Sequence, residues 1–94
     1  MKIEVKQKHI DKAIKNSESR KYNVWDICKS CVLAEALIDA GFDKVEVGFS
    51  EADAELDGKT VWIDIPDGND ITKVGADRWH TIKPRFLEIE VKAS

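Results

Sequence analysis

The segment "AELDGKTVWIDIP", residues 54–66, decides the fold because it combines a tight turn with strand-like alternation. Asp57–Gly58 is typical of a two-residue type I′ turn, which needs positive φ at both central positions. Beyond the turn, aliphatic side chains occupy every second position, at Val61, Ile63 and Ile65. Alternate residues of a strand share one face, so we predict a hairpin with one aliphatic face and an opposite face carrying Trp62 and Asp64.

The same alternation occurs outside the hairpin, in "KIEVK" (2–6), "DKVEVGF" (43–49) and "KPRFLEIEVK" (83–92). We read each as a strand, the last with Leu87, Ile89 and Val91 pointing inward. The acidic segment "EADAELD", residues 51–57, resembles a sparse calcium-binding loop, but it lacks the central glycine and a terminal glutamate at the right spacing. We therefore interpret it as a solvated edge strand that leads into the turn.

Two segments place apolar residues at helical spacing. The first is "KHIDKAIKN" (8–16), and the second lies within "NVWDICKSCVLAEALIDAGF" (23–42). Gly41 follows the last periodic residue and is typical of a helix C-terminus. The start of this second helix stays open, because Asn23 and Ser30 are both suitable N-caps.

The second helix has a broad apolar face. Ile38 and Cys31 lie on the apolar side of the helical wheel, whereas Glu35 and Asp39 lie opposite. A weaker third helix is indicated by "DITKVGADRW" (70–79), which Gly75 interrupts. The order β-α-α-β-β-β-α-β predicts a small α+β domain spanning residues 1–94, with a mostly antiparallel sheet of four to five strands packed by two to three helices.

Composition excludes several classes of protein. The 94 residues are 43% hydrophobic and 35% charged, with a net charge of −3. This mixture indicates a folded chain, and the charge argues against a nucleic-acid-binding protein. No apolar run approaches the roughly 20 residues of a membrane span, and the first residues lack a secretory h-region. We therefore expect a cytoplasmic protein that contacts neither nucleic acid nor membrane.

Cys28 and Cys31 form a Cys-x-x-Cys motif near the second helix. A redox role requires a lowered thiol pKa, which the nearby Asp26 opposes. A zinc site would need His9 and His80 as the remaining ligands, and these are far apart in sequence. We favour a packing role, with Cys31 in the core and Cys28 near the helix edge. On this interpretation Cys31→Ser destabilises the protein by roughly 1–3 kcal/mol, because it buries a hydroxyl.

No other pattern points to catalysis. The sequence has no glycine-rich phosphate loop and no Gly-x-Ser-x-Gly motif. We therefore expect a protein that is not an enzyme and that needs no cofactor.

Several motifs together resemble a known group of proteins. They are the opening "KIEVKQKHIDKAIK", the segment "CKSCVLAEALIDAGF", the strand "KVEVG", the short "DGK" hairpin and the closing "IKPRFLEIEV". The chain is similar to small, uncharacterised accessory proteins encoded by tailed bacteriophages, although Val32 stands where the group often has proline. The resemblance implies expression in the bacterial host cytoplasm and implies no known activity.

By analogy with other phage accessory proteins, we expect a non-enzymatic protein that binds a host protein, as an inhibitor or an anti-defence factor. The alternatives are a metal- or thiol-dependent protein built on Cys28 and Cys31, or an oligomer that sequesters a small ligand. The candidate binding residues are Trp62 and Phe86, with Asp64 and Arg85 at the rim, because exposed aromatics are enriched at interfaces. These aromatics either contact a host protein or a second copy in a homodimer, or are covered by the first or third helix.

Overall fold

The structure, a computed structural model, describes residues 1–18, 31–48, 50–66 and 71–93. It confirms the predicted α+β class, with antiparallel strands in two sheets. In chain order the elements are β1 (Lys2–Val5), α1 (Gln7–Ser17), α2 (Val32–Asp39), β2 (Asp43–Val47), β3 (Glu51–Leu56), β4 (Lys59–Asp64), a 3₁₀ helix (Ala76–Thr81), β5 (Arg85–Glu88) and β6 (Glu90–Ala93).

The predicted hairpin joins β3 and β4. Asp57 and Gly58 have φ angles of 53° and 78°, as a type I′ turn requires. Across the pair Ala52 faces Ile63 and Asp53 faces Trp62. The aliphatic side chains of β4 are buried and Trp62 is exposed, which confirms the predicted division of faces.

The larger sheet has the strand order β2-β3-β4-β6. The expectation of an edge strand at residues 51–57 is wrong, because β3 lies between β2 and β4. On β2 the register with β3 shifts between Asp43 and Glu46, and Lys44 adopts a φ of 50°. Such a bulge moves the side chains before it to the other face of the sheet, so Asp43 lies on the same side as its partner Glu55.

The last strand of the chain is divided between the two sheets. β5 pairs with β1, where Ile3 faces Leu87, and β6 pairs with β4, where Val91 faces Ile63. The division falls at Ile89, whose N–H donates to the Met1 carbonyl oxygen. If the register of β4 with β6 continued, Pro66 would face Glu88. Proline has no N–H to donate to a strand ladder, so the pairing with β4 is not favoured at this position.

The helices lie against the aliphatic side of the strands, with α2 in contact with β1, β2 and α1. α2 begins at Val32 with Cys31 as its N-cap; Asn23 and Ser30 lie outside the described residues. It ends as predicted, because Gly41 has a φ of 110° and its N–H donates to the Ile38 carbonyl oxygen. The N–H of Phe42 donates to the Leu37 carbonyl oxygen, which completes a Schellman motif.

One face of α2 differs from the sequence-based expectation. Glu35, expected on the polar side, is only 7% exposed, whereas Ile38 on the apolar side is 45% exposed. The reason is that α1 packs along the side of α2 that carries Glu35. The predicted weak third helix is a 3₁₀ helix that follows Gly75 and buries Trp79 in the core.

Candidate functional site

The four-stranded sheet turns one face toward the core, and no helix of the described residues covers the other. This second side is here called the outer face. The strand register, together with the salt bridge from Lys44 to Glu55, assigns to it Asp43, Lys44, Glu46, Glu51, Asp53, Glu55, Thr60, Trp62, Asp64, Glu90 and Lys92. None of these side chains is buried. The described helices pack on the opposite, aliphatic side, so within the described part of the chain the outer face has no helix over it.

The outer face is strongly acidic. Seven carboxylates and two ammonium groups give it a formal charge of −5, against −3 for the whole chain. Both lysines are engaged within the face, Lys44 with Glu55 at 3.2 Å and Lys92 with Asp64 at 2.7 Å. The excess negative charge of the protein is therefore concentrated on one side of one sheet, where neighbouring carboxylates add their potentials.

Trp62 is the large apolar side chain of this face. It lies between Asp53 of β3 and Lys92 of β6, which are its direct cross-strand neighbours. Trp62 is 37% exposed, so neighbouring side chains already shield part of its indole from water. A half-exposed tryptophan ringed by charged side chains has the composition of an interface hot spot, in which an aromatic anchor is surrounded by polar groups.

The salt bridge beside Trp62 changes the acidity of Lys92. The hydrogen bond to Asp64, the attraction of the same carboxylate and the attraction of Glu90 raise the pKa of Lys92 above its ordinary value. Lys92 therefore stays charged and keeps Asp64 oriented across the face.

The structure places the other two predicted binding residues on the smaller sheet. Phe86 is 65% exposed on β5, where its cross-strand neighbour is Glu4, and Arg85 is half-buried opposite Val5. Trp62 and Phe86 thus belong to different sheets, and neither is buried under a helix. Among the described residues, the expectation of a helix that covers these aromatics is wrong.

The two sheets meet at an open groove of about 620 Å³. Its lining combines carboxylates with apolar side chains, namely Met1, Asp64, Ile65, Pro66, Glu88, Ile89, Glu90 and Val91. The groove exists because the last strand changes its partner at Ile89, and it links the side of β4 that carries Trp62 with the side of β5 that carries Phe86.

The histidine that sequence analysis considered as a zinc ligand has a structural role. His9 is only 5% exposed; its Nδ1 accepts the Lys6 backbone N–H at 2.9 Å, and its Nε2 lies 3.0 Å from Asp39 Oδ2. With Nδ1 accepting, Nε2 is the nitrogen that donates to the carboxylate. Both ring nitrogens are therefore used, and His9 ties the start of α1 to the end of α2.

Asp39 responds to this arrangement. The hydrogen bond from His9, followed by the hydrogen bond and the charge of Lys8, holds the pKa of the Asp39 carboxyl below its ordinary value. A second polar contact joins the same helices, because Glu35 accepts from Asn16 at 3.2 Å and forms a salt bridge with Lys12 at 3.2 Å. Helical periodicity gave no sign of either contact, since each joins residues of two separate elements.

Cys31 and His80, the other candidate ligands within the described residues, do not form a metal site with His9. Cys31 caps α2, with its Sγ accepting the Ala34 N–H at 3.5 Å, and His80 is exposed on the 3₁₀ helix. Cys28 lies outside the described residues. Within residues 1–18, 31–48, 50–66 and 71–93, no group of three or more His, Cys, Asp or Glu side chains is arranged to hold a metal ion.

Comparisons of the chain with protein-family models, curated proteins and solved structures give no match. None of the helices in the described part of the chain has the length and apolar character needed to cross a lipid bilayer.

Proposed function

We propose that this chain is a non-enzymatic binding protein whose outer face docks onto a positively charged surface of a partner protein. The observation that carries the proposal is the position of Trp62 near the centre of a sheet face that has a formal charge of −5 and that no described helix covers. Opposite charge on the partner accelerates encounter and sets the orientation, and the indole then supplies desolvated contact area.

The charge of the outer face also bears on the identity of the partner. A homodimer formed through this face would bring two surfaces of like charge together, which is unfavourable at short range. A basic protein is therefore a better partner for this face than a second copy. The sequence motifs that resemble those of phage-encoded accessory proteins favour, as part of this proposal, a host protein in the bacterial cytoplasm as the partner and an inhibitor or anti-defence role for the chain.

The proposal is tested by charge-matched variants. Asp53→Asn removes one carboxylate directly opposite Trp62, and Asp11→Asn removes the same charge from an exposed position on α1. The partner is recovered by affinity capture from a bacterial lysate and its binding is then measured with the purified proteins. We expect Asp53→Asn to weaken binding by about two- to fivefold and Asp11→Asn to leave it nearly unchanged.

Replacement of the indole provides the second arm of the test. Trp62→Thr keeps a residue that favours strands and removes the aromatic contact. We expect at least a tenfold loss of affinity and a thermal transition that stays cooperative. The outer face would be excluded as the docking surface if neither Trp62→Thr nor Asp53→Asn lowered the affinity and if added salt did not lower it either.

A further inference from the structure

The groove between the two sheets shows which kind of side chain the partner contributes. At one end the ammonium group of Met1 donates to Glu88 Oε1 and to the Ile89 carbonyl oxygen, both at 3.0 Å. Beside the other end Lys92 donates to Asp64 at 2.7 Å. Both ends therefore bind cations that belong to the chain itself.

Glu90 lies between these two paired carboxylates. Among the described residues its carboxylate has no hydrogen bond and no salt bridge, although its charge acts on Lys92. It is exposed, it lines the groove, and apolar side chains such as Ile65 and Val91 lie beside it. An exposed carboxylate in a partly apolar groove accepts a cation whose flat faces tolerate apolar contact.

The two exposed aromatic residues flank this groove. Trp62 lies two residues before Asp64 on the same face of β4, and Phe86 lies two residues before Glu88 on the same face of β5. Residues two apart along a strand are separated by about 7 Å. Trp62 and Phe86 thus each lie about 7 Å along the strand from a carboxylate residue of the groove, Asp64 and Glu88 respectively.

We infer that the groove binds an arginine side chain of the partner, with Glu90 accepting its guanidinium group between Trp62 and Phe86. The inference rests on the proposed function and adds the chemistry of the docking contact. Arginine fits better than lysine because its guanidinium is planar, weakly hydrated and able to stack on aromatic faces, whereas an ammonium group is compact and strongly hydrated. The two groove carboxylates Glu88 and Asp64 are already paired with compact ammonium groups, those of Met1 and Lys92.

The test uses the full chain and three synthetic peptides of the form Ac-Ser-Xaa-Ser-Xaa-Ser-Xaa-Ser-amide, with arginine, lysine or citrulline at Xaa. Binding is followed by ¹⁵N–¹H NMR at physiological salt. We expect the arginine peptide to shift the resonances of residues 88–91 and the Trp62 indole. We expect the lysine peptide to bind several-fold more weakly and the citrulline peptide, which has the same shape without the charge, at least tenfold more weakly.

Two variants with the same charge separate the groove from the outer face as a whole. Glu90→Gln is expected to weaken the arginine peptide about threefold. Glu46→Gln lies on β2, three strands away at about 14 Å, and is expected to have a smaller effect because the Debye length is about 8 Å.

Equal losses for both variants, with shifts spread over the whole face, would overturn the groove assignment and leave the proposed function standing. Absence of peptide binding, or equal binding of the arginine and citrulline peptides, would also overturn it. The proposed function is decided separately, by the effect of Asp53→Asn on the natural partner.

Discussion

Cys31 provides a direct test of how α2 begins, because its N-cap contact predicts a different effect of Cys31→Ser from the one that packing alone predicts. The thiol is only half-buried, and its Sγ accepts the N–H of Ala34 at 3.5 Å, the third position of the helix. This is the contact of an N-cap residue, whose backbone is extended at φ −75° and ψ 175°. Cys31 therefore has two roles, packing against the core and capping the helix.

The two roles predict opposite rankings of a set of substitutions. If capping dominates, Cys31→Ser is neutral or stabilises the fold by up to about 1 kcal/mol, because an oxygen accepts the amide better than sulfur does. Cys31→Ala then costs about 1 kcal/mol, since the cap is lost. Cys31→Val, which restores apolar volume without an acceptor, stays below the parent by a similar amount.

The ranking is measured by urea unfolding in the presence of a reductant, with far-ultraviolet circular dichroism as the signal and the free energy of unfolding obtained by linear extrapolation. We expect the order serine, cysteine, then valine and alanine. A valine variant at least as stable as the parent, together with a serine variant less stable by 1 kcal/mol or more, would refute the capping role. It would restore the purely hydrophobic interpretation of Cys31.

Three further results are expected. The lowered pKa of Asp39 means that its contacts stabilise the fold above about pH 4 and are lost as pH falls through the lower folded-state pKa. Urea midpoints of the parent should therefore exceed those of Asp39→Asn at neutral pH and converge with them in acid. Gly41→Ala should lower the melting temperature, at a cost of about 1 kcal/mol, because alanine is strained at a φ of 110°. Deletion of residues 86–94 should give an unfolded or aggregating product without a sharp thermal transition, because it removes Leu87 opposite Ile3 and Val91 opposite Ile63.

The parts of the fold that alternation could predict are those in which one face of a strand is buried. Val61 and Ile63 could be assigned to the core from spacing alone, because a shift of one residue would expose both. The Asp57–Gly58 turn could be predicted for a similar reason, since few dipeptides tolerate two consecutive positive φ angles. The division of the last strand at Ile89 could not be predicted from alternation. It depends on the position of Pro66 after β4, in the register that β4 forms with β6.

Contacts between the two helices could not be predicted from the hydrophobic periodicity of either helix alone. A helical wheel places Glu35 on the solvent side because it treats each helix as if it packed on one side only. In the structure α2 packs against strands and against α1, so a second side of the helix is also buried. The carboxylate remains there because Asn16 and Lys12 of α1 reach it, and a buried carboxylate needs such partners.

The candidate site depended on the register in the same way. Along the sequence, acids and lysines alternate closely enough that the chain reads as an ordinary mixed surface with a net charge of −3. Pairing of β2, β3, β4 and β6 collects carboxylates from positions between 43 and 90 onto one face. In α1 and α2, by contrast, three lysines are balanced by three acids, Asp11, Glu35 and Asp39. A net charge of −3 therefore conceals one face with a formal charge of −5. Because salt screens such a field within about 8 Å at physiological strength, it orients a partner at close range, where Trp62 then makes contact.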